Sequence, residues 1–327
     1  MLLAGDIGGT KTVLAQVVRR ADGIAIVREE IFASAAHASL DEIIDRFRGG
    51  SVHGVGDVEV ACFGVAGPVV DGECRTTNLP WVLRETELAR AIGARRVKLL
   101  NDLEAAAYGM LHLPASQVVE IQGAARTTPG TVAVLAAGTG LGEALLYWDG
   151  SRYHPIPTEG GHTTFAPQTD EDWAFAEFLR RRFGAHVSWE RVVAGPGFVS
   201  LYEFFREQSV AEEPAWLRER LARENPSAVV TDVGLRGDDP VCVQAVEAFA
   251  RHFGAEAGNL ALKSLALGGV YLGGNIANVI FPALADHFLG AFVDKGRFAS
   301  LLKTLPVRIA RDPRVPLIGA AHYAAAM

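Results

Sequence analysis

The stretch Gly5-Asp6-Ile7-Gly8-Gly9-Thr10-Lys11-Thr12 decides how the rest of the chain is read. On either side lie Leu2–Ala4 and Val13–Val18, runs rich in apolar and β-branched residues that read as strands. The segment between them is too short for a helix, so it is a glycine turn closing a β-hairpin. Lys11-Thr12 suggests a P-loop. That motif needs glycine directly before the lysine, where Thr10 stands, and a helix after the loop, where Val13–Val18 reads as a strand. The glycines let backbone N–H groups approach a phosphate, with Thr10 as a hydroxyl donor. Asp6 is placed to hold Mg2+, through water. Alone, the segment is explained equally well by an ordinary Gly-Gly hairpin turn.

Further along, Thr131–Ala136 and Ala144–Trp148 read as a second pair of strands around Ala137-Gly138-Thr139-Gly140-Leu141-Gly142. Glu143 denies this segment the G-x-G-x-x-G spacing, and no helix follows, so it is not a dinucleotide fingerprint. A second phosphate-contacting hairpin fits better, with a plain turn as the alternative. Between the hairpins come a capping box, Ser39-Leu40-Asp41-Glu42, followed by Ile43, Ile44 and Phe47 at helical spacing. Then come a buried strand over Val58–Val65, another over Val97–Leu100, and an alanine-rich helix over Leu103–Leu111. Beyond the second hairpin, Thr169–Phe183 is an amphipathic helix with acids first and arginines last. Helices follow over Gly197–Glu207, Pro240–Ala266 and Ile276–Leu289, with a strand at Val270–Leu272, a tight turn at Gly273-Gly274-Asn275 and a terminal helix at Pro316–Ala325. The order hairpin, helices, strand recurs. It predicts an α/β chain in two similar halves with a ligand cleft between them.

Composition narrows the function classes. The 327 residues are 49% hydrophobic and 21% charged, with a net charge of −7. That is globular composition, and the acidic balance argues against nucleic acid or an anionic membrane as partner. The three cysteines, Cys62, Cys74 and Cys242, form no C-x-x-C pair and no disulfide framework, which fits a reducing cytosol. The start, MLLAGDIGGT, lacks a signal peptide's charged n-region. The long uncharged run from Ser264 to Ala285 is broken by Gly268, Gly269, Gly273, Gly274 and Pro282, and reads as strand, turn and helix rather than a membrane span.

Other candidate residues lie outside the hairpins. Asn101-Asp102 ends a buried strand and opens a helix, where α/β sheets place their sites; Asp102 could equally be that helix's N-cap. In Glu159-Gly160-Gly161-His162 a tight turn brings a carboxylate and an imidazole together, suited to vicinal hydroxyls. His162 has no neighbour at zinc-ligand spacing. Glu190, in Ser188-Trp189-Glu190-Arg191, is a sugar ligand or a surface residue of a first helical turn. Gly273-Gly274-Asn275 lets an adenine or ribose approach the backbone, or is a plain strand-to-helix turn.

The order of these segments is more specific than any one of them. Together with Gly64-Val65-Ala66-Gly67-Pro68, Glu190-Arg191-Val192, Gly195-Pro196-Gly197, Asp294-Lys295-Gly296-Arg297-Phe298 and Gly319-Ala320-Ala321-His322, they resemble the bacterial glucokinase family across nearly the whole chain. That family belongs to the sugar kinase, heat-shock ATPase and actin superfamily. The resemblance implies a two-domain actin-like ATPase fold (a duplicated ribonuclease H-like unit) with an interdomain cleft. It implies a small domain over residues 1–110, closed by the C-terminal helix 312–327, and a large domain over 111–311. By the same resemblance Gly5, Asp6, Ile7, Gly8, Gly9 and Thr10 form the first phosphate loop, Gly138, Thr139 and Gly140 the second, and Gly273, Gly274 and Asn275 lie near the adenosine. Asn101 and Asp102 bind glucose, with Asp102 as catalytic base. Glu159, His162 and Glu190 make the other sugar contacts, and Asn78 also faces the sugar.

Lys11 is similar instead to the related repressor–open-reading-frame–kinase (ROK) family. That family carries a zinc-binding cysteine cluster after its Glu-x-Gly-His motif; here Thr163-Thr164-Phe165-Ala166-Pro167 follows, so zinc is not expected. The implied activity is ATP- and Mg2+-dependent phosphorylation of D-glucose at the 6-hydroxyl, in the cytoplasm, by a homodimer. Alternatives are a kinase for mannose or glucosamine, or an ATP- and sugar-binding regulator without catalysis.

Overall fold

A computed structural model describes residues 1–21, 23–49, 57–123, 129–184 and 186–327. They form two compact units. The first comprises Met1–Gln117, Ala144–Pro157 and Asp312–Met327, and the second Val118–Glu143 and Thr158–Arg311. Residues 111–117 and the segment Ala144–Pro157, which holds most of the strand Leu141–Trp148 and all of Tyr153–Pro157, are expected from the sequence in the large domain but cluster with the first unit.

In the first unit, five strands lie in the order Gly23–Ala33, Lys11–Arg20, Leu2–Ile7, Val60–Val65, Arg96–Asn101. The first three are antiparallel neighbours and the last two run parallel to Leu2–Ile7. Register aligns Ile7 with Val65 and Val65 with Asn101. The carboxyl ends of three parallel strands therefore share one edge, where the first glycine turn and the Asn101-Asp102 step both begin. Leu2–Ile7 and Val60–Val65 are buried almost throughout, as strands covered on both faces must be. One face packs on the helix Leu40–Gly49 through Ile43, Ile44 and Phe47. The other carries Leu317, Ala320, Ala321 and Ala324 of the terminal helix Val315–Ala326. Gly109 and Gly319 let that helix approach the helix Asp102–Met110: a Cβ on Gly109 would lie 2.9 Å from the Gly319 nitrogen.

In the second unit, Val132–Ala137, Gly269–Gly273 and Val307–Ala310 run parallel, with Val118–Gln122 antiparallel at one side. The scheme of the first unit thus returns: a strand leading into a glycine turn, then two parallel strands delivered later in the chain. Helices Pro240–Lys263 and Gly274–Val293 pack together through Phe249, Phe253, Phe281, Phe288 and Phe292, all essentially buried. Each such side chain contributes roughly 1.5–3 kcal/mol of burial. The second helix is long and apolar enough to cross a membrane by composition. It contains Pro282, kinks at Leu284 and spends its phenylalanines on this core.

Most expected elements are present. The tight turn expected at Gly273-Gly274-Asn275 is not a separate element: Gly273 ends the strand and Gly274 begins the helix, at φ +81°. The strand Gly23–Ala33 and the small sheet Val69–Val70, Glu73–Arg75, Val82–Arg84 were not legible from the sequence.

Candidate active site

The first glycine turn is built by the hairpin and braced from outside it. Ile7 pairs with Thr12, and Gly8 N–H donates to the Lys11 carbonyl at 3.0 Å. The Ser34 hydroxyl donates to the Gly8 carbonyl at 2.7 Å and lies 3.0 Å from Thr12 Oγ1, and Ser34 N–H donates to the Thr10 carbonyl. Ser34 and Thr12 are fully buried and fix the turn's shape; the sequence reading weighs Thr12 only as a P-loop residue and misses Ser34. Gly9 rests directly on Asn78, since a Cβ there would lie 2.6 Å from the Asn78 Cβ. Gly5 and Ile7, expected in the phosphate loop, have packing roles in the strand. Gly5 makes room for Phe63 and Leu14, and Ile7 belongs to the core. Only their backbones can face a ligand. Gly8 and Gly9, half-buried, and the exposed Thr10 form the tip.

Asp6 lies in the last turn-ward residues of the same strand. Burial raises its pKa to about 6, with Lys11 pulling it down and Asp102 pushing it up. A half-buried carboxyl facing a second carboxylate suits a cation, which would restore its charge. Among the described residues no three His, Cys, Asp or Glu side chains form a cage, so a Mg2+ at Asp6 would keep mainly water and phosphate ligands.

Asn101, not Asp102, is the N-cap of the helix Asp102–Met110. Its Oδ1 accepts the Glu104 N–H, and the Glu104 carboxylate accepts the Asn101 N–H, both at 3.0 Å. Asp102 occupies the next position, exposed, with Oδ1 accepting the Leu103 N–H at 2.8 Å. The cap uses the amide oxygen of Asn101 and leaves its NH2 as the group to offer a ligand.

In the second unit, the turn Gly138-Thr139-Gly140 is closed by Gly138 N–H to the Gly140 carbonyl at 2.9 Å, and its Gly138 carbonyl accepts Gly195 N–H at 2.8 Å. Glu190 is docked beneath it. One carboxylate oxygen accepts the Leu141 N–H at 3.2 Å, and a Cβ on Gly140 would lie 2.5 Å from that oxygen. The other oxygen lies 3.9 Å from His162 Nδ1, and His162 Nε2 lies 3.9 Å from Glu159. Glu159, His162 and Glu190 are thus one cluster, with Glu159 and His162 mostly exposed (72% and 60%). Spacings near 4 Å leave each polar pair wide enough to share a ligand hydroxyl or a water.

Gly274 sits against the Ala137 carbonyl, where no side chain would fit, and opens a helix without a side-chain cap. Beside it is a cavity of about 450 Å³ lined by Gly195, Phe198, Thr231, Asn275, Ile276 and Ile280. Its walls come from separate helices with no motif to flag them, which is why Phe198, Thr231, Ile276 and Ile280 were missed. A larger cavity of about 590 Å³, at Asp172, His252 and Lys295, holds none of the motif residues. Asn78, Asn101 and Asp102 belong to the first unit, and the Glu159–His162–Glu190 cluster to the second.

Residues 3–327 match the family model described as glucokinase. A glucokinase from Synechocystis sp. is 39% identical over 345 residues, covering 99% of this chain and 97% of its own. One from Trichormus variabilis is 37% identical, covering 99% of both. Among solved structures, a glucokinase from an Antarctic psychrotroph is 29% identical with a TM-score of 0.87, covering 100% of this chain and 99% of that one. A ROK family glucokinase from Streptomyces griseus, in complex with glucose and AMPPNP, shares the fold at 22% identity and a TM-score of 0.61, covering 100% of this chain and 99% of that one. The fold is the α/β, two-domain actin-like ATPase fold of the sugar kinases. The chain belongs to the glucokinase family.

Proposed function

We propose that this protein transfers the γ-phosphoryl group of ATP to the 6-hydroxyl of D-glucose, giving glucose 6-phosphate in the cytoplasm. The observation that carries the reading is Glu190, whose two carboxylate oxygens serve the second glycine turn on one side and His162 on the other. One residue thereby ties a phosphate-type loop to a hydroxyl-binding cluster, as a sugar kinase needs.

Phosphoryl transfer depends on positioning and charge neutralisation more than on covalent chemistry. In this reading the turns at Gly8–Thr10 and Gly138–Gly140 present backbone N–H groups to the phosphates, and the cavity beside Gly274 and Asn275 takes the adenosine. Asp6 would hold Mg2+, which when bound neutralises phosphate charge. Asp102 accepts the proton of the attacking 6-hydroxyl, a contribution of roughly 10²–10⁴-fold for a positioned base. Asn101, Asn78, Glu159, His162 and Glu190 are the residues that contact the sugar in this reading.

A coupled assay of ADP release with glucose, mannose, glucosamine and galactose tests the reading. Glucose should give the highest kcat/KM, and a preference for mannose or glucosamine would reassign the substrate. ADP release indifferent to every sugar would leave only a nucleotide-binding regulator. Light scattering checks the homodimer suggested by the resemblance.

A further inference from the structure

Glu143 lies 2% exposed at the foot of the turn that carries Glu159 and His162. Its carboxyl fills the space a side chain on Gly160 would need. Its backbone carbonyl accepts the Thr158 hydroxyl at 2.7 Å, and that hydroxyl in turn accepts the Gly160 N–H at 3.1 Å. Gly161, the next residue, sits equally close on the Leu141 carbonyl. The turn is therefore seated on Leu141–Glu143, with the Glu143 carboxyl as its floor.

Beneath that floor the Glu143 carboxyl meets Glu256, itself fully buried, within hydrogen-bonding range. Glu256 accepts Asn259 Nδ2 at 2.8 Å and Lys263 Nζ at 3.4 Å, and Lys295 lies near it. No such donor serves Glu143, whose Oε1 is buried with no N–H or O–H to accept from among the described residues, the neighbouring Glu256 carboxylate being an acceptor itself. Two buried carboxyls in contact share one proton. Burial raises Glu256 as well, but cationic and amide donors gather on it and none on Glu143, so of the two Glu256 keeps the charge and Glu143 the proton. Burial first, and Glu256 second, push Glu143 up to about 8, with Lys263 pulling it down.

We infer that Glu143 is a positioning residue for the sugar turn: as a carboxylic acid it donates a hydrogen bond to Glu256 and thereby holds Gly160, and with it Glu159 and His162, in place. This rests on the reading of Glu159 and His162 as sugar contacts. Ionisation of Glu143 would set two carboxylates against each other under the turn; the cations acting on the pair are Lys263, 3.4 Å from Glu256, and Lys295, whose charge reaches Glu256 without a direct contact among the described ion pairs. A glutamine at 143 can donate the same bond at any pH.

The test compares Glu143→Gln and Glu143→Ala with the wild type, reading glucose KM, ATP KM and the hydrogen exchange of peptides spanning 158–163. Glu143→Ala should speed exchange in the turn and raise glucose KM ~10-fold, as misplaced contact groups do, with ATP KM unchanged. Glu143→Gln should restore both. Between pH 7 and about 9 the wild-type glucose KM should rise while that of Glu143→Gln stays flat. Unchanged exchange in a folded Glu143→Ala overturns the inference. So does a Glu143→Gln profile that rises like the wild type's, and this decides the matter should the alanine variant not fold. Faster exchange with glucose KM unmoved upholds Glu143 as the support of the turn and overturns the sugar reading of Glu159 and His162.

Discussion

Asn101 and Glu104 cap each other across the first turn of the helix Asp102–Met110, each side chain accepting the other's backbone N–H at 3.0 Å. The capping role that Asp102 could have filled is thus taken by its neighbour. The two residues should separate in experiment. Asp102→Ala should lower kcat by at least about 10²-fold with little change in Tm or in ATP KM, because a base is lost and no cap is. Asn101→Ala should cost about 1 kcal/mol of stability, read from urea unfolding. Near-wild-type turnover in Asp102→Ala would withdraw the base assignment.

The Gly9 backbone lies against Asn78, leaving no room for even a methyl group. Gly9→Ala must push the tip of the first turn away from its seat, while Ser34 and Thr12 still hold the base of the turn. ATP KM should rise on the order of 10-fold, a typical cost of misplacing a binding loop, and Tm should fall only slightly. Steady-state kinetics at saturating glucose would show it. An unaltered ATP KM would mean that the tip does not touch the phosphates.

How much of this could be read beforehand follows from where each signal resides. Glycine turns advertise themselves, because the residue type is the constraint; the hairpins at Gly8 and Gly138 were legible for that reason. Asp102 and Asn101 were legible as a pair but not in their division of labour, which depends on Glu104 three residues on. The strand Gly23–Ala33 was hidden because Arg28, Glu29 and Glu30 interrupt its apolar run; it is an edge strand, and Arg28 lies over the Phe47 ring while pairing with Glu30. The cavity beside Asn275 was invisible, since Phe198, Thr231 and Ile280 meet only when three distant helices pack. Ser34 carries no motif at all and acts through two short hydrogen bonds.

Acid stability should depend on Asp172. Burial pushes its pKa up, but the His252 Nε2–H at 2.9 Å and the N–H groups of Gln168 and Thr169 at 3.0 Å outweigh this and hold it well below the usual carboxylate range. Below the unfolded value of about 3.9 the unfolded chain binds a proton here that the folded one does not. The stability Asp172 contributes is therefore complete above about pH 4 and is lost as the pH falls through the folded value. Thermal melts from about pH 6 down to pH 3 should show Tm falling more steeply for the wild type than for Asp172→Asn, which starts lower. Parallel curves would assign the acid sensitivity to other carboxylates.

Glu159 offers the sharpest test of the sugar cluster. It is exposed and 3.9 Å from His162, and among the described residues no hydrogen bond ties its carboxylate to the protein, so its replacement should not disturb the fold. A carboxylate that accepts a hydroxyl makes a charge-assisted bond about twice as strong as a neutral one. Glu159→Gln keeps the shape and removes the charge, so glucose KM should rise by roughly 10-fold, about 1.4 kcal/mol, while ATP KM stays as it was. Sites built to pair with hydroxyls also reject sugars that misplace one, because their own polar groups are then left unpaired. Galactose, inverted at C4, should be a very poor substrate for the wild type. Mannose, inverted at C2, should be better tolerated, since none of Asn101, Asp102, Glu159, His162 and Glu190 is tied to the 2-hydroxyl. Kinetics of Glu159→Gln with glucose and ATP varied in turn decides the point. A rise confined to ATP KM would move Glu159 to the nucleotide, and the sugar cluster would have to be redrawn around His162 and Glu190 alone.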